Sequence, residues 1–164
     1  MDSLPEEMYE YQKQLAKGSI QKAYQGLMTF MMGLRIHLSK EYPDYSVSGS
    51  LYPGYMDMTY FSISPKQLME KDLKIAVVFL HETCRFEVWL SGRNKKVLTE
   101  YWEILKEKDW GDYKIVQPGK GIDSILEYIV VEKPDFGNLE ALTKQIEKGT
   151  VQFIQDVEDF LSTI

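Results

Sequence analysis

The sequence predicts an α+β fold: a mostly antiparallel sheet of about five to six strands with N-terminal, middle and long C-terminal helices packed on it. Strand-like segments are grouped along the chain instead of alternating regularly with helices. Segments with apolar residues at spacings of three and four stand near both ends. Since 164 residues suit one domain, we expect residues 1–164 to form a single α+β domain.

Two helices are predicted before the first strand. The shorter one runs from about Glu6 to Ala16 and is broken at Gly18. The second begins with Ser19 as its N-cap and runs to Tyr42, because Pro43 disfavours the helical conformation in the residue before it. One stripe of this helix is apolar and is expected to face the core, namely Ile20, Ala23, Leu27, Phe30, Met31, Leu34 and Leu38.

Two strands joined by a turn should follow. The strands are predicted over Tyr45–Leu51 and Met56–Ile63, and Pro53-Gly54 suits the centre of a type II turn. Proline fixes the first φ of such a turn, and glycine accepts the positive second one. Residues 66–71 read as one irregular helical turn.

A hairpin is predicted in the middle of the chain. Leu73–Leu80 is apolar on both faces apart from Lys74, which is typical of a central strand covered on both sides. Arg85–Leu90 alternates between apolar and polar residues. A turn through residues 82–83 would pair large apolar side chains on one face, in the register Phe79–Phe86, Val77–Val88 and Ile75–Leu90.

The last third predicts helix, two strands and helix. Asn94 caps a helix that reaches about Lys108, with Val97, Leu98, Tyr101, Trp102 and Leu105 as its inner stripe, and strands follow at Tyr113–Gln117 and Ile125–Val131. Asn138 caps the terminal helix, whose inner face is Leu139, Leu142, Ile146, Phe153, Val157, Phe160 and Leu161. Gly149 falls on that face, which predicts either a kink or the close approach of another backbone.

Composition excludes several classes of function. The net charge is −6 and basic residues are not clustered, so we expect no nucleic-acid partner. One cysteine and two histidines predict no metal, no cofactor and no internal disulfide. The N-terminus lacks the pattern of a secretion signal, and the longest apolar run, Ile75–Leu80, is too short to cross a bilayer. We therefore expect a cytoplasmic protein with no membrane partner.

Two constellations could support catalysis, although an enzyme is less expected than a protein without activity. His81 and Cys84 at the hairpin tip could form a thiolate pair, but a polar turn with an incidental cysteine explains them better. Asp57 and Glu87 could act as paired carboxylates on adjacent strands, but Trp89 stands where a Glu-x-Lys metal site needs lysine. A small hydrolase that uses either pair is the alternative hypothesis.

An aromatic cluster gives the leading hypothesis. We predict a binding site formed by Tyr52, Tyr55, Tyr60, Arg85, Glu87, Trp89 and Arg93. Aromatic side chains with a few polar groups line ligand pockets, but they also anchor protein interfaces and fill cores. The sequence thus predicts a binding or interaction domain without catalytic activity. Its partner would be a small molecule or a protein, and acidic helices with apolar stripes also allow a homodimer.

The chain also carries a resemblance to known proteins. The stretches KIAVVFLHETCRFEVWLSGRNKK (74–96) and DFGNLEALTKQIEKGTVQFIQDVEDFL (135–161) resemble small bacterial proteins that are known only as a domain of unknown function. The resemblance covers most of the chain and implies no catalytic residues.

Overall fold

The computed structural model describes residues 3–164 and contains a six-stranded sheet in the order β1-β2-β3-β4-β6-β5. Every pair of neighbouring strands is antiparallel, so the predicted α+β class is confirmed. Along the chain the elements are α1 Leu4–Ala16, α2 Ser19–Glu41, β1 Tyr45–Val47, β2 Met58–Pro65, α3 Lys66–Met69, β3 Leu73–Leu80, β4 Arg85–Gly92, α4 Lys95–Leu105, β5 Lys114–Ile115, β6 Leu126–Val131 and α5 Leu139–Leu161.

The central hairpin has the predicted register. Strand β3 lies between β2 and β4, and its partners on β4 are those that the apolar pattern requires. The pairs are Phe79–Phe86, Val77–Val88 and Ile75–Leu90. All six side chains are buried, so a slip of one residue would turn them away from the core.

The two faces of the sheet have different environments. One face carries the row Phe61, Val77 and Val88, which belongs to a continuous core with α2 and α5. The opposite face carries the row Tyr60, Val78 and Glu87. Helices therefore contribute the core on one side, whereas the side chains of the second face pack mainly on one another.

Three predicted helix starts can be compared with the structure. Asn94 and Asn138 are the predicted caps: their side chains accept N–H groups of Val97 and Ala141, at 3.0 and 3.2 Å. The prediction of Ser19 as the cap of α2 was wrong, because Gly18 occupies that position with a φ of 82°. The elbow between α1 and α2 needs this left-handed conformation, which glycine adopts without the strain of a Cβ.

The first two strands differ from their predicted ranges because of the loop that joins them. Strand β1 ends at Val47 instead of Leu51. Strand β2 begins at Met58 instead of Met56, because Met56 has a φ of 63° and belongs to the turn. Gly54 has a φ of 70°, as the predicted turn requires.

Gly149 marks a tight contact between α5 and the sheet. The helix is continuous from Leu139 to Leu161, so Gly149 does not interrupt it. The neighbour that approaches is the side chain of Val130 on β6 and not another backbone: a Cβ on residue 149 would overlap with Val130 Cγ2. Glycine is thus present because the helix lies against a branched side chain.

We expect Gly149→Ala to lower the free energy of unfolding by about 1–3 kcal/mol, as overpacking does, although alanine favours a helix by about 1 kcal/mol over glycine. Val130 is stiff about its χ1 angle and cannot turn away without a cost. Urea denaturation of Gly149→Ala, Val130→Ala and the double variant measures the effect. The double variant should lose less stability than the two single losses added together, whereas strict additivity would contradict the contact.

A polar link also holds α2 against α5. Glu147 of α5 contacts His37 Nε2 and accepts the hydroxyl of Tyr42, both at 2.7 Å. Burial raises the pKa of Glu147, but the hydrogen bonds with His37 and Tyr42 outweigh it and hold that pKa below its usual value. Burial and the same carboxylate raise the pKa of Tyr42 to about 12.

Three residues predicted to face the core lie outside it. Ile20 and Leu139 are 38% and 47% exposed, and Ala23 is also exposed, so these predictions were wrong.

Helix α1 has no buried residue. The possible homodimer stays a prediction. In the part of the chain that the structure describes, no helix combines the length and hydrophobicity needed to span a membrane.

Candidate functional site

An apolar groove lies between the first half of α2, the tip of the β3–β4 hairpin and the start of α5. Its volume is about 620 Å³, within the usual range for small-molecule pockets. Ile20, Ala23 and Leu27 of α2 form one wall, and Phe136 and Leu139 line the groove from the α5 side. The residues wrongly predicted for the core are therefore residues of this groove.

A cluster of four phenylalanines supports the groove from below. Phe30, Phe79 and Phe136 line it, and Phe86 is completely buried beside them. The ring centroid of Phe86 lies 5.0 Å from that of Phe79, 5.9 Å from that of Phe30 and 6.2 Å from that of Phe136. Tilted and edge-to-face contacts at these distances are favourable. The apolar floor thus continues directly into the core.

His81 provides a polar group in the groove, and its tautomer follows from its neighbours. The hydroxyl of Thr59 donates its one hydrogen to the carbonyl of Pro53, at 2.7 Å. It can therefore only accept from His81 Nε2, which lies 2.8 Å away. Burial lowers the pKa of His81, and the smaller opposing effect of Asp57 does not reverse this. The imidazole is neutral at pH 7, with its proton on Nε2 and an acceptor lone pair on Nδ1.

Cys84 also lines the groove, with an exposed side chain and a φ of 55°. The two members of the predicted Cys–His pair therefore belong to one site. However, Cys84 and His81 share no hydrogen bond in the described structure, residues 3–164. The imidazole is instead hydrogen-bonded to Thr59. The arrangement lacks the contact through which a histidine activates a thiol.

Five of the seven residues predicted as a binding site lie together on the second face of the sheet. Tyr52, in the loop before β2, forms an isolated antiparallel bridge with Tyr60 of β2, and the two ring centroids are 4.9 Å apart. Glu87, which is 2% exposed, accepts Arg85 Nε at 2.7 Å and Trp89 Nε1 at 2.8 Å. These five residues are called the aromatic face below. Glu87 fixes the orientation of the arginine and the tryptophan beside it.

The other two predicted residues lie elsewhere. Tyr55 is 89% exposed in the turn before β2. Arg93 follows the end of β4, where its Nη1 atom is 3.9 Å from Asp72 Oδ1. Tyr55 is placed by the turn and Arg93 by the end of the hairpin. The alternation of residues along a strand predicts neither position. Neither belongs to the aromatic face.

The carboxylates of the hydrolase hypothesis have separate partners. Asp57 accepts the backbone N–H groups of Tyr55 and Met58, at 2.8 and 2.7 Å, and these bonds hold its pKa below the usual value. Glu87 is occupied by Arg85 and Trp89. Within the described residues, no group of three or more histidine, cysteine, aspartate or glutamate side chains is arranged to hold a metal ion.

Sequence reasoning missed the groove because its walls have the pattern of a core. One signal was available in the lengths of the elements. A helix from Ser19 to Tyr42 is about 36 Å long at 1.5 Å per residue, whereas an eight-residue strand such as β3 spans about 27 Å. A helix that runs along such a strand therefore extends about 9 Å beyond its end.

A comparison with known protein families shows which family this chain belongs to. A family model described as a domain of unknown function (DUF7000) matches residues 4–161. The chain belongs to this family. The resemblance to a domain of unknown function is thereby confirmed, and the match spans every helix and strand, so the groove and the aromatic face both lie inside the DUF7000 domain. Searches among curated proteins and among solved structures found no match.

Proposed function

We propose that this DUF7000 protein is a binding domain without catalytic activity and that its groove holds a small apolar molecule. The groove itself is the observation that supports this proposal: it has the volume of a ligand pocket, apolar walls and a floor of packed phenylalanines. Contiguous apolar surface that stays exposed on a folded protein is typical of a binding site.

The exposed residues of the groove indicate where binding energy would arise. Met56, Phe136 and Leu139 are 50%, 40% and 47% exposed although they line a concave surface. A ligand that covers them gains roughly 25 cal/mol for each Å² of apolar surface removed from water. His81 Nδ1 can accept a hydrogen bond from a hydroxyl or amide of the ligand. Such a bond would set the ligand's orientation more than its affinity.

The chain offers two matched positions for a test. Gly26 lines the groove and Gly33 does not, yet both are exposed residues of α2 with open space where a Cβ would stand. Leucine at either position should stabilise the helix by roughly 0.5–1 kcal/mol, because glycine is a poor helix former. Only leucine at position 26 would also occupy the groove.

We expect the neutral fluorescent probe N-phenyl-1-naphthylamine to bind the wild-type protein and the Gly33→Leu variant equally. In Gly26→Leu the probe's affinity should fall by about tenfold or more, the equivalent of about 1.4 kcal/mol. Fluorescence titration measures the affinity, and thermal unfolding checks that both variants are folded. Equal binding by Gly26→Leu and Gly33→Leu, or no binding by the wild type, would contradict a ligand site in the groove.

A second candidate is a contact with another protein on the aromatic face. The observation in its favour is that buried Glu87 holds both Arg85 and Trp89, two residue types that often dominate interface energies. The Nη atoms of Arg85 make no hydrogen bond within residues 3–164, so they could bind a partner's carboxylate. An NMR titration with decanol, in which the Trp89 indole reports on the aromatic face, separates this candidate from the groove.

A further inference from the structure

We infer that the groove selects an amphipathic carboxylate, a molecule with one anionic head and an unbranched or aromatic apolar body, and that Lys22 binds the head. This inference rests on the proposed function, because it assigns a chemical class to the ligand of the same groove. Unlike apolar binding alone, it predicts that the groove prefers an anionic ligand to a neutral or a cationic one.

The charge of the groove differs from that of the whole protein. The chain has 25 acidic and 19 basic residues and a net charge of −6. Nevertheless, among residues 3–164 no aspartate or glutamate lines the groove, and Lys22 is the one lysine or arginine that does. Burial lowers the pKa of His81 and so disfavours its charged form. A cation beside an apolar surface without a carboxylate is complementary to an amphipathic anion.

Lys22 is available for such a head group. Within residues 3–164, its ammonium forms no salt bridge within 4.0 Å. It is exposed on the first half of α2, between Ile20 and Ala23 in sequence, and both of these also line the groove. The flexible lysine stem lets the ammonium meet a carboxylate at the rim while the ligand's apolar part lies on the groove wall.

The remaining polar group fixes the direction of the ligand. In the neutral ring that burial favours, Nδ1 of His81 is an acceptor and offers a carboxylate no hydrogen, whereas the Lys22 ammonium offers three, so we place the anionic head at Lys22. The apolar body then extends towards Phe79 and Phe136. A hydroxyl on that body could donate to His81, but the carboxylate requires only Lys22.

The test uses the full chain and displacement of bound N-phenyl-1-naphthylamine by three ten-carbon compounds below their micelle concentrations. These are decanoate, decanol and decyltrimethylammonium. Decanoate should bind about tenfold more tightly than decanol, as expected for a hydrogen bond to a charged group, and the cation should bind most weakly. Lys22→Gln should remove the advantage of decanoate and leave decanol unchanged. Lys17→Gln, which changes a lysine outside the groove, should leave both affinities unchanged.

The outcomes separate the two proposals. If decanol and decanoate bind equally and Lys22→Gln changes neither, the preference for a carboxylate is refuted while the groove remains a binding site. If Lys17→Gln lowers the affinity for decanoate as much as Lys22→Gln does, the effect comes from the overall electrostatic field of the protein. The assignment of the carboxylate to Lys22 is then refuted. If neither decanoate nor decanol displaces a bound probe, the inference is refuted, whereas the proposed function is refuted only if the probe itself does not bind the wild-type groove.

Discussion

Phe86→Ala is expected to lower the free energy of unfolding by about 3–5 kcal/mol, as the loss of a buried aromatic ring usually does. The Phe86 side chain is completely buried and contacts the rings of Phe30, Phe79 and Phe136. Its removal leaves a cavity where the hairpin, α2 and the segment before α5 meet. The pairing of β3 with β4 holds Phe79 in place, so the cavity closes only in part.

Urea denaturation with an unchanged m-value measures this loss. Phe136→Ala is the matched control, because Phe136 belongs to the same cluster but is 40% exposed, and so its loss should be clearly smaller. Phe86→Ala should also weaken probe binding, since Phe79 and Phe30 would lose their support. A loss below about 1 kcal/mol for Phe86→Ala would mean that the cluster is not packed as described.

Glu87→Ala is expected to lower the free energy of unfolding by about 2–4 kcal/mol. Removal of one partner from a buried ion pair costs about 3–5 kcal/mol, and the 29% exposure of the Arg85 side chain reduces that figure because water can reach it. The substitution also leaves Trp89 Nε1 without its acceptor. The sheet therefore loses two hydrogen bonds to one carboxylate.

Two control variants distinguish the buried carboxylate from an ordinary surface charge. Glu87→Gln keeps an oxygen that can accept from Trp89 and should lose less than Glu87→Ala. Glu132→Ala removes an exposed carboxylate just after β6 and should change stability by less than about 0.5 kcal/mol. Chemical denaturation measures all three variants. Equal stability of Glu87→Ala and Glu132→Ala would show that Glu87 does not organise the aromatic face.

The sequence predicts the central hairpin well because the physical signal there is local and strong. Three large apolar pairs can meet on one face only in the observed register, and β3 is apolar on both faces. The sequence also predicted the N-caps Asn94 and Asn138, since asparagine directly before a segment with helical apolar spacing is a preferred N-cap residue. Turn conformations are harder to predict: Met56 has a positive φ in a turn where the Asp57 carboxylate accepts the N–H groups of Tyr55 and Met58.

The groove could not be read from the same pattern. Apolar spacing on α2 shows which side of the helix faces inward, but it does not show where along the helix the sheet ends. Ile20 and Leu139 have the spacing of core residues, and only the packing of α2, α5 and the hairpin tip shows that nothing covers them fully. By contrast, the aromatic face was predictable in part, because residues 85, 87 and 89 alternate to one side of a strand.

The most direct test of a ligand site in the groove is an NMR titration of ¹⁵N-labelled protein with decanol. We predict that shift changes concentrate at the backbone amides of Ala23, Gly26 and His81. The indole signal of Trp89, which reports on the aromatic face, should stay unchanged. Shift changes confined to Trp89 and its neighbours, or none at saturating decanol, would contradict the groove as the binding site.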